Sequence, residues 1–266
     1  NPIDGNIKNM IELLTDLKLI FFVVFFFIMM FIESYYPQRT WNSSRIMRLG
    51  FHGLIALINT IIMRLPTLFL IIPALLIINE QNYGLLNLLG YSLITKGIIS
   101  LLLLDLAFYW WHRINHTVDF FWRFHSVHHL DTHLDVTTSL RFHIGELIFS
   151  SIFKVALILT IGVPISIFIF YEIILSASNQ FHHANINIPD RVNTVLEKFI
   201  VTPKYHTNHH TVKKNSREAN YSSILTIWDR IFFTYKDADD NERNYLGLDD
   251  RSKEFGIINY FKHPLS

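Results

Sequence analysis

The sequence predicts an all-α integral membrane protein, with about four to five transmembrane or hairpin helices capped by a cytosolic, helical, histidine-rich domain. Half of its 266 residues are hydrophobic and only 17% are charged, against roughly 25% in an ordinary soluble domain. The apolar residues form runs near the ~20-residue length of a membrane span. Eight of the fourteen histidines fall in three short clusters, which are HRINH (112–116), HSVHH (125–129) and HTNHH (206–210).

Composition also limits the chemistry. With 23 basic and 22 acidic side chains, the bulk charge gives no argument for a nucleic-acid partner, and none is expected. The chain has no cysteine, which excludes disulfides, thiolate metal sites and iron–sulfur clusters. Any metal must therefore bind through nitrogen or oxygen. The first apolar run lacks a small-residue cleavage site, so a cleavable signal peptide is not expected.

The apolar runs predict the membrane helices in order. Residues 17–33, 51–79 and 91–111 are each expected to cross the membrane. The run 51–79 is longer than a ~30 Å hydrocarbon core requires, so it should tilt or kink. A fourth apolar region, 147–178, contains Gly162-Val163-Pro164 near its middle and is interpreted as a hairpin of two helices.

These crossings bring the three clusters to one membrane face. Three crossings and a hairpin place them on the side of the 34–50 loop, whereas a hairpin at 51–79 would place them on the opposite side. The loop carries Arg39, Arg45 and Arg48, so the positive-inside rule predicts that the cap faces the cytoplasm. The expected parts are transmembrane helices 1–3 (1–111), a first cap segment (112–146), a membrane hairpin (147–181) and a second cap segment (182–266).

The spacing of the clustered histidines predicts metal binding. Residues three and four apart lie on one face of a helix, so each cluster is expected to converge on one point. Neutral imidazole suits zinc, iron, copper or nickel. Eight imidazoles are twice the number that one tetrahedral zinc needs, which favours two metals. A lone histidine is usually an ordinary core or surface residue, but so many protonated rings packed together would repel one another.

These motifs resemble the fatty acid hydroxylase/sterol desaturase superfamily of membrane di-iron enzymes. The resemblance rests on the ordered set HxxxH, HxxHH and HxxHH, each following a membrane segment. It extends to the surrounding segments and covers roughly residues 100–235, within a unit of about 95–240. The segments are 105–116, 125–146, 180–189, 202–210 and 220–235. The family implies two iron ions (with zinc possible in purified protein), O2 as co-substrate and a membrane lipid as substrate.

The resemblance also implies the metal ligands. His183 is added to the clustered histidines because it follows the hairpin, whereas His182 lies about 100° around a helix and should point elsewhere. His143 resembles a family position near the metals, although it could instead support a ligand or face the substrate. The predicted metal-binding residues are His112, His116, His125, His128, His129, His143, His183, His206, His209 and His210.

Residues beside the metals are predicted as well. Ligating histidines usually donate their second N–H to a carboxylate or carbonyl. Asp105 is the leading candidate acceptor, because a carboxylate inside a membrane run needs a partner. Asn179 stands where some family members carry histidine, so either it binds a metal weakly or that position is open. Glu146 is a further candidate, as are Asp131 and Asp135 (alternatively in a solvated loop) and Asp229 (alternatively paired with Arg230 or capping a helix).

The activity implied by the resemblance is O2-dependent hydroxylation, or desaturation, of an aliphatic C–H bond of a lipid. No cytochrome-type haem domain, GxGxxG or CxxC motif is seen, so electrons are expected from a separate reductase. A di-zinc membrane hydrolase is one alternative, since metal-bound water is a nucleophile at neutral pH. A non-enzymatic metal transporter or histidine sensor is another, but transporters place ligands near the bilayer midplane and these clusters lie beyond the helix ends.

Overall fold

The computed structural model describes residues 2–41, 43–248 and 256–265. Every regular element in these residues is helical, which confirms the predicted all-α class. The helices up to the end of the hairpin are α1 (Pro2–Tyr35), α2 (Arg45–Pro66), α3 (Ile72–Gln81), α4 (Leu85–Leu88), α5 (Leu93–Thr117), α6 (Asp119–His129), α7 (Ile144–Ile161) and α8 (Ile165–His183). The shorter helices that follow are α9 (Asp190–Leu196), α10 (Pro203–His209), α11 (Lys214–Arg217), α12 (Ile227–Ile231), α13 (Asp240–Arg243) and α14 (Ile257–Lys262).

Four helical stretches are long and apolar enough to cross a membrane. They present large apolar side chains outward, as at Phe69, which is 71% exposed. Such a surface suits helices that contact lipid, because their backbone groups are paired internally. The chain is therefore a multi-pass membrane protein. The four stretches are Asp16–Tyr35, Arg45–Leu88, Leu93–Thr117 and Ile144–Ile161.

The second stretch is interrupted in its middle, as the length of the 51–79 run predicts. A π-helical segment, Thr67–Ile71, joins α2 to α3 directly after Pro66. Proline has no N–H and removes a bond from the α-helical ladder, and single π-helical turns commonly accommodate such a break. The helix also begins before the apolar run, because Ser44 caps it at Arg45.

The predicted hairpin is formed by α7 and α8. Gly162 ends α7 in the left-handed conformation, with φ of 78°, and α8 begins after Pro164. A Cβ atom on Gly162 would lie 2.7 Å from the Tyr83 carbonyl oxygen, so only glycine fits this close approach of two backbones. The turn thereby packs against the loop between α3 and α4.

The largest apolar core joins α3, α5, α7 and α8, through residues such as Leu75, Leu104 and Ile158. Helix α1 packs along α8. Near its end, the Glu33 carboxylate accepts the N–H groups of Val136 and Asn185, both at 3.0 Å. The core and this contact fix the three helix ends that enter the cap, namely the end of α5, the start of α7 and the end of α8.

A buried ion cluster joins α2 to the cap. Arg48 donates to both carboxylate oxygens of Asp131, at 2.8 and 2.9 Å, and to Asp135 at 2.6 Å. Burial raises the pKa of the Asp131 carboxyl, but the Arg48 guanidinium outweighs burial and holds that pKa well below its usual range. Asp131 and Asp135 are thus neither solvated nor partners of the clustered histidines, the two roles considered for them from the sequence.

Candidate metal centre

Nine imidazoles form two adjacent groups in the cap. Within each group, one nitrogen of every ring lies within 4.8 Å of the corresponding nitrogens of the others. The five-histidine group consists of His112, His116, His125, His129 and His209, and the four-histidine group consists of His128, His183, His206 and His210. These are nine of the ten predicted residues.

The second and third sequence clusters do not each converge on one point, contrary to expectation. In α6, His125 and His129 belong to the five-histidine group, whereas His128 belongs to the four-histidine group. The histidines of the α10 cluster divide in the same way, with His209 alone in the five-histidine group. Successive helical residues are about 100° apart, so neighbouring histidines face different sides. Each of these two segments therefore serves both groups.

The orientation of five rings is set by oxygen acceptors. Because these oxygens accept hydrogen bonds, each of these rings donates from Nδ1–H, which leaves Nε2 as the nitrogen that faces the other histidines. The donors and acceptors are His112 to the Tyr221 carbonyl at 2.8 Å, His125 to the Glu146 carboxylate at 2.8 Å, His128 to the Arg141 carbonyl at 3.1 Å, His183 to the Asn179 carbonyl at 2.7 Å, and His209 to the Ala219 carbonyl at 2.7 Å.

The free nitrogens of the four-histidine group fit a shared cation. The Nε2 atoms of His128 and His183 are 2.9 Å apart, although both carry lone pairs and cannot hydrogen-bond to each other. His206 Nε2 lies 3.1 Å from His183 Nε2 and 3.1 Å from His210 Nε2. Nitrogens that bind one metal at about 2.1 Å and at right angles are about 3.0 Å apart. The spacing is therefore that of ligands around one ion.

The five-histidine group fits a second cation. Both ring nitrogens of His116 and His129, together with Nε2 of His125 and of His209, are buried without a hydrogen-bond partner in the part of the chain that the structure describes. Buried polar atoms are nearly always paired, so this many unpaired nitrogens in one place indicates a missing partner. A metal ion is a partner that several neutral imidazole nitrogens can bind at the same time.

Five of the histidines that lie beyond the membrane-spanning stretches are held neutral. Burial, followed by the neighbouring imidazoles, lowers their pKa values well below the usual 6.5. Metals bind the deprotonated nitrogen, so no charged ring has to lose a proton first. The residues concerned are His128, His129, His206, His209 and His210.

Asp105 and Asp229 act on the site through the backbone. Asp105 accepts from the Trp228 indole at 2.7 Å and the Leu225 N–H at 3.2 Å, and not from a histidine as expected. Asp229 accepts the N–H groups of Tyr221 and Ser222, each at 2.8 Å. Together they hold the segment 221–228. The Tyr221 carbonyl of this segment accepts the hydrogen bond from His112 Nδ1–H.

His143 lies outside both groups. Its Nδ1 accepts the Gly145 N–H at 3.0 Å, which caps α7, and its Nε2 donates to the Phe261 carbonyl at 3.1 Å. Both nitrogens are thus occupied by the protein, so the geometry gives this predicted ligand a helix-capping role. The backbone carbonyl of Asn179 accepts from His183, its side-chain amide donates to the Ser139 carbonyl at 3.4 Å, and the residue lines the cavity described below. His182 belongs to neither group.

Sequence reasoning missed some residues around the site. Glu218 Oε2 lies 3.8 Å from His116 Nδ1, and no spacing pattern points to it. Lys154 and Glu172 were also overlooked, although a charged residue inside the apolar run 147–178 was a signal that could have found them.

A cavity of about 470 Å³ extends from the histidines into the helical bundle. Its volume is within the range of small-molecule sites, roughly 300–1,000 Å³. Histidines of both groups, including His125 and His128, form part of its wall. The other lining residues include the apolar side chains Phe108, Trp111, Phe142, Leu147 and Leu175, and the charged side chains Lys18, Lys154 and Glu172.

The membrane bundle and the nine imidazoles of its cap agree with the family to which the sequence is similar. Residues 97–234, just over half of the 266-residue chain, match the family model for fatty acid hydroxylases. The chain belongs to the fatty acid hydroxylase family.

Known relatives are similar over part of their length. The chain is 30% identical over 209 residues to human alkylglycerol monooxygenase, covering 77% of this chain and 45% of the relative. It is 25% identical over 173 residues to ornithine lipid hydroxylase OlsE of Rhizobium tropici, covering 64% and 50%. It is 29% identical over 159 residues to very-long-chain aldehyde decarbonylase CER1 of Arabidopsis thaliana, covering 55% and 25%. The chain therefore spans half or less of these relatives, and no solved structure matches it.

Proposed function

We propose that this chain is an O2-dependent monooxygenase that hydroxylates an aliphatic C–H bond of a membrane lipid, with two iron ions bound by the nine grouped histidines. The observation that carries the proposal is that both histidine groups face a largely apolar cavity inside a membrane bundle. Family membership supports it, as do the names of two relatives, a monooxygenase and a hydroxylase that acts on a lipid.

The reaction balances as one C–H bond, one O2, two electrons and two protons giving one C–OH group and one water. The bound irons would supply the activation of O2, and a separate reductase would supply the electrons. Desaturation of the lipid uses the same reactants but removes two hydrogens, adds no oxygen and releases two waters. Product mass therefore separates the two reactions.

The chain's own side chains hold the lipid and exclude water. The Phe142 ring stacks on His128, with centroids 4.5 Å apart, so the apolar wall reaches the metal-facing histidines. Trp111 is fixed in the wall by its indole N–H, which donates to Ser150 at 2.9 Å. An alkyl chain held by such a wall keeps a chosen carbon near the reacting centre, which is the positioning effect that reactions of unactivated bonds require.

We assign the cap to the cytoplasm, on the basis of the arginines of the 34–50 loop. Because the chain has no cysteine, single introduced cysteines report the orientation. Asp240 in the cap is 92% exposed, and Leu88 near the hairpin turn is 80% exposed. Asp240→Cys should react with an impermeant maleimide only after cell permeabilisation, and Leu88→Cys in intact cells. The reverse pattern would place the cap outside.

The function is tested with purified, metal-stripped protein that is loaded anaerobically with ferrous iron and then given O2 and a reductant. The substrates are an alkylglycerol, an ornithine lipid and total membrane lipid. We expect a lipid product heavier by one oxygen from the iron-loaded protein, and none from the zinc-loaded protein or from His128→Ala. Iron-loaded protein with both sites filled that oxidises no lipid would refute the proposal. Lipid ester cleavage by the zinc-loaded form would favour a hydrolase.

A further inference from the structure

Three charged side chains meet inside the membrane bundle, and we call them the charged triad. Glu172 of α8 lies 2.8 Å from the Lys18 ammonium of α1 and 2.8 Å from the Lys154 ammonium of α7. All three side chains line the cavity that contains the histidines. Charged groups inside membrane helices are unfavourable and usually serve a function, so the charged triad needs an explanation beyond holding three helices together.

The charged triad has more positive than negative charge. Glu172 uses one carboxylate oxygen for each lysine, so its negative charge is already shared between two ammonium groups. Each ammonium has three N–H donors, of which Lys18 directs one at Glu172, whereas Lys154 contacts Glu172 as an ion pair. The Phe108 ring lies 5.6 Å from Lys154 Nζ and covers part of that ammonium. Both lysines line the cavity, where low polarity strengthens the attraction between a positive site and an anion.

Polar side chains continue from the charged triad toward the histidines. Ser176 is one helical turn beyond Glu172 on α8, and Ser150 is one turn nearer the cap than Lys154 on α7. Both serines line the same cavity. Glu172 precedes His183 by eleven helical residues, a rise of about 16 Å at 1.5 Å per residue. The cavity thus offers a positively charged position well separated from the metal-facing nitrogens.

We infer that the charged triad is a binding subsite for the acidic group of a lipid, a carboxylate or a phosphate, whose alkyl chain extends toward the histidines. The inference rests on the proposed function in taking this cavity as the substrate cavity. It adds a selectivity, because the carbon presented to the metals would be remote from the acidic group rather than next to it. A neutral lipid of the same chain length would lack the ionic contact.

The test measures binding to metal-free protein in neutral detergent, so that it does not depend on catalysis. The protein is incubated with equal amounts of stearic acid and methyl stearate, and the co-purified lipids are quantified by mass spectrometry. A second arm compares octadecyl phosphate with octadecanol and thereby distinguishes the two acidic groups. We expect at least one acid to be preferred by the wild type over its neutral partner about tenfold or more, equivalent to about 1.4 kcal/mol.

The decisive variant is Lys18→Met, because it removes the positive excess but leaves the Lys154–Glu172 pair intact. We expect Lys18→Met to lose the preference for the acid and Lys18→Arg to retain it. Lys96→Met is the matched control, since Lys96 donates to Asn87 and does not line the cavity. Equal binding of acid and neutral lipid by the wild type, or an undiminished preference in Lys18→Met, would overturn the inference. Oxidation of lipids without acid preference would reject the subsite and leave the proposed function standing.

Discussion

The orientation of five histidine rings is set by the oxygen atom that accepts the hydrogen bond from Nδ1–H. Four of the five oriented rings donate Nδ1–H to backbone carbonyls, and one donates to Glu146. Four of these histidines could be predicted from their spacing in the chain, and His183 from the family resemblance. The carbonyl acceptors could not, because every residue has a carbonyl and only the path of the loop decides which one approaches a ring.

Glu146 is the carboxylate whose removal should weaken a metal site directly. Glu146→Ala leaves the His125 Nδ1–H without its 2.8 Å partner, so the ring is free to rotate or change tautomer. We expect metal affinity to fall about 10–100-fold. Glu146→Gln keeps an oxygen acceptor and should lose less. Titration against a metal chelator measures both, with Glu80→Ala on exposed α3 surface as the control, and an unchanged affinity in Glu146→Ala would contradict this role.

Asp229 should matter mainly for stability. Besides the two N–H groups of segment 221–228, its carboxylate accepts the hydroxyls of Tyr205 at 2.8 Å and Thr234 at 2.7 Å. In Asp229→Asn, an NH2 group replaces one of the two carboxylate oxygens. Because NH2 cannot accept these hydrogen bonds, some of the donors lose their partner. We expect a loss of about 2–4 kcal/mol in the free energy of unfolding, from one or two bonds to a charged acceptor. Scanning fluorimetry should show a lower apparent Tm than for the exposed control Asp240→Asn, and equal Tm values would disprove it.

At the scale of helices, α6 and the α10 segment each connect both histidine groups. Helical spacing identifies the residues that face the metals, but it does not say which metal each residue serves. That assignment depends on where other helices approach: His116 of α5 joins the group of His129, whereas His183 of α8 joins the group of His128. These approach positions are set by tertiary packing and are not visible in a single sequence.

Neighbouring histidines of α6 should therefore control different metals. We expect His129→Ala to weaken the metal in the five-histidine group and His128→Ala to weaken the metal in the four-histidine group. At a chelator concentration where the wild type keeps two metals, each variant should keep about one. Metal analysis gives the number, and cobalt absorption spectra should differ between the two variants because different groups remain filled.

The matched control for this pair is His133→Ala. His133 packs on Trp41, with ring centroids 5.0 Å apart, and lies outside both groups, so this variant should keep two metals. Identical cobalt spectra for His128→Ala and His129→Ala would show that the two groups do not bind separately.

The membrane helices illustrate what patterns of apolar residues can predict. The runs located all four membrane stretches and the hairpin turn at Gly162, because length and polarity decide whether a helix suits a bilayer. The charged triad was not predicted, since Lys18, Lys154 and Glu172 are far apart in the chain. Their contact depends on tertiary packing, which places α1 along α8 and brings Lys154 of α7 to Glu172.

For the whole molecule, the buried histidines predict how stability varies with pH. Their folded-state pKa values are lowered, so below about pH 6.5 the unfolded chain binds more protons than the folded chain. Above that pH these histidines are neutral in both states and the free energy of unfolding is at its full value. As the pH falls below it, the unfolded chain takes up protons and the free energy of unfolding decreases. Each such residue can contribute about 1.4 kcal/mol per pH unit.

Chelator-treated protein should therefore show a lower apparent Tm at pH 5.5 than at pH 7.5, with little change between pH 7.5 and 8.5. Scanning fluorimetry in one detergent over this range measures the effect. A Tm that is constant or higher at pH 5.5 would mean that these rings are already charged, or exposed, in the folded metal-free protein.

The Arg48 cluster has a consequence for the order in which the chain is made. Asp135, one of its two acidic partners, lies 87 residues further along the chain. At a synthesis rate of 5–20 residues per second, that partner emerges about 4–17 s after the arginine. During this interval the arginine is free to act as an orientation signal, and only afterwards is its charge buried. On the proposed cytoplasmic assignment of the cap, the same side chain would act first in membrane insertion and then in holding α2 to the finished cap.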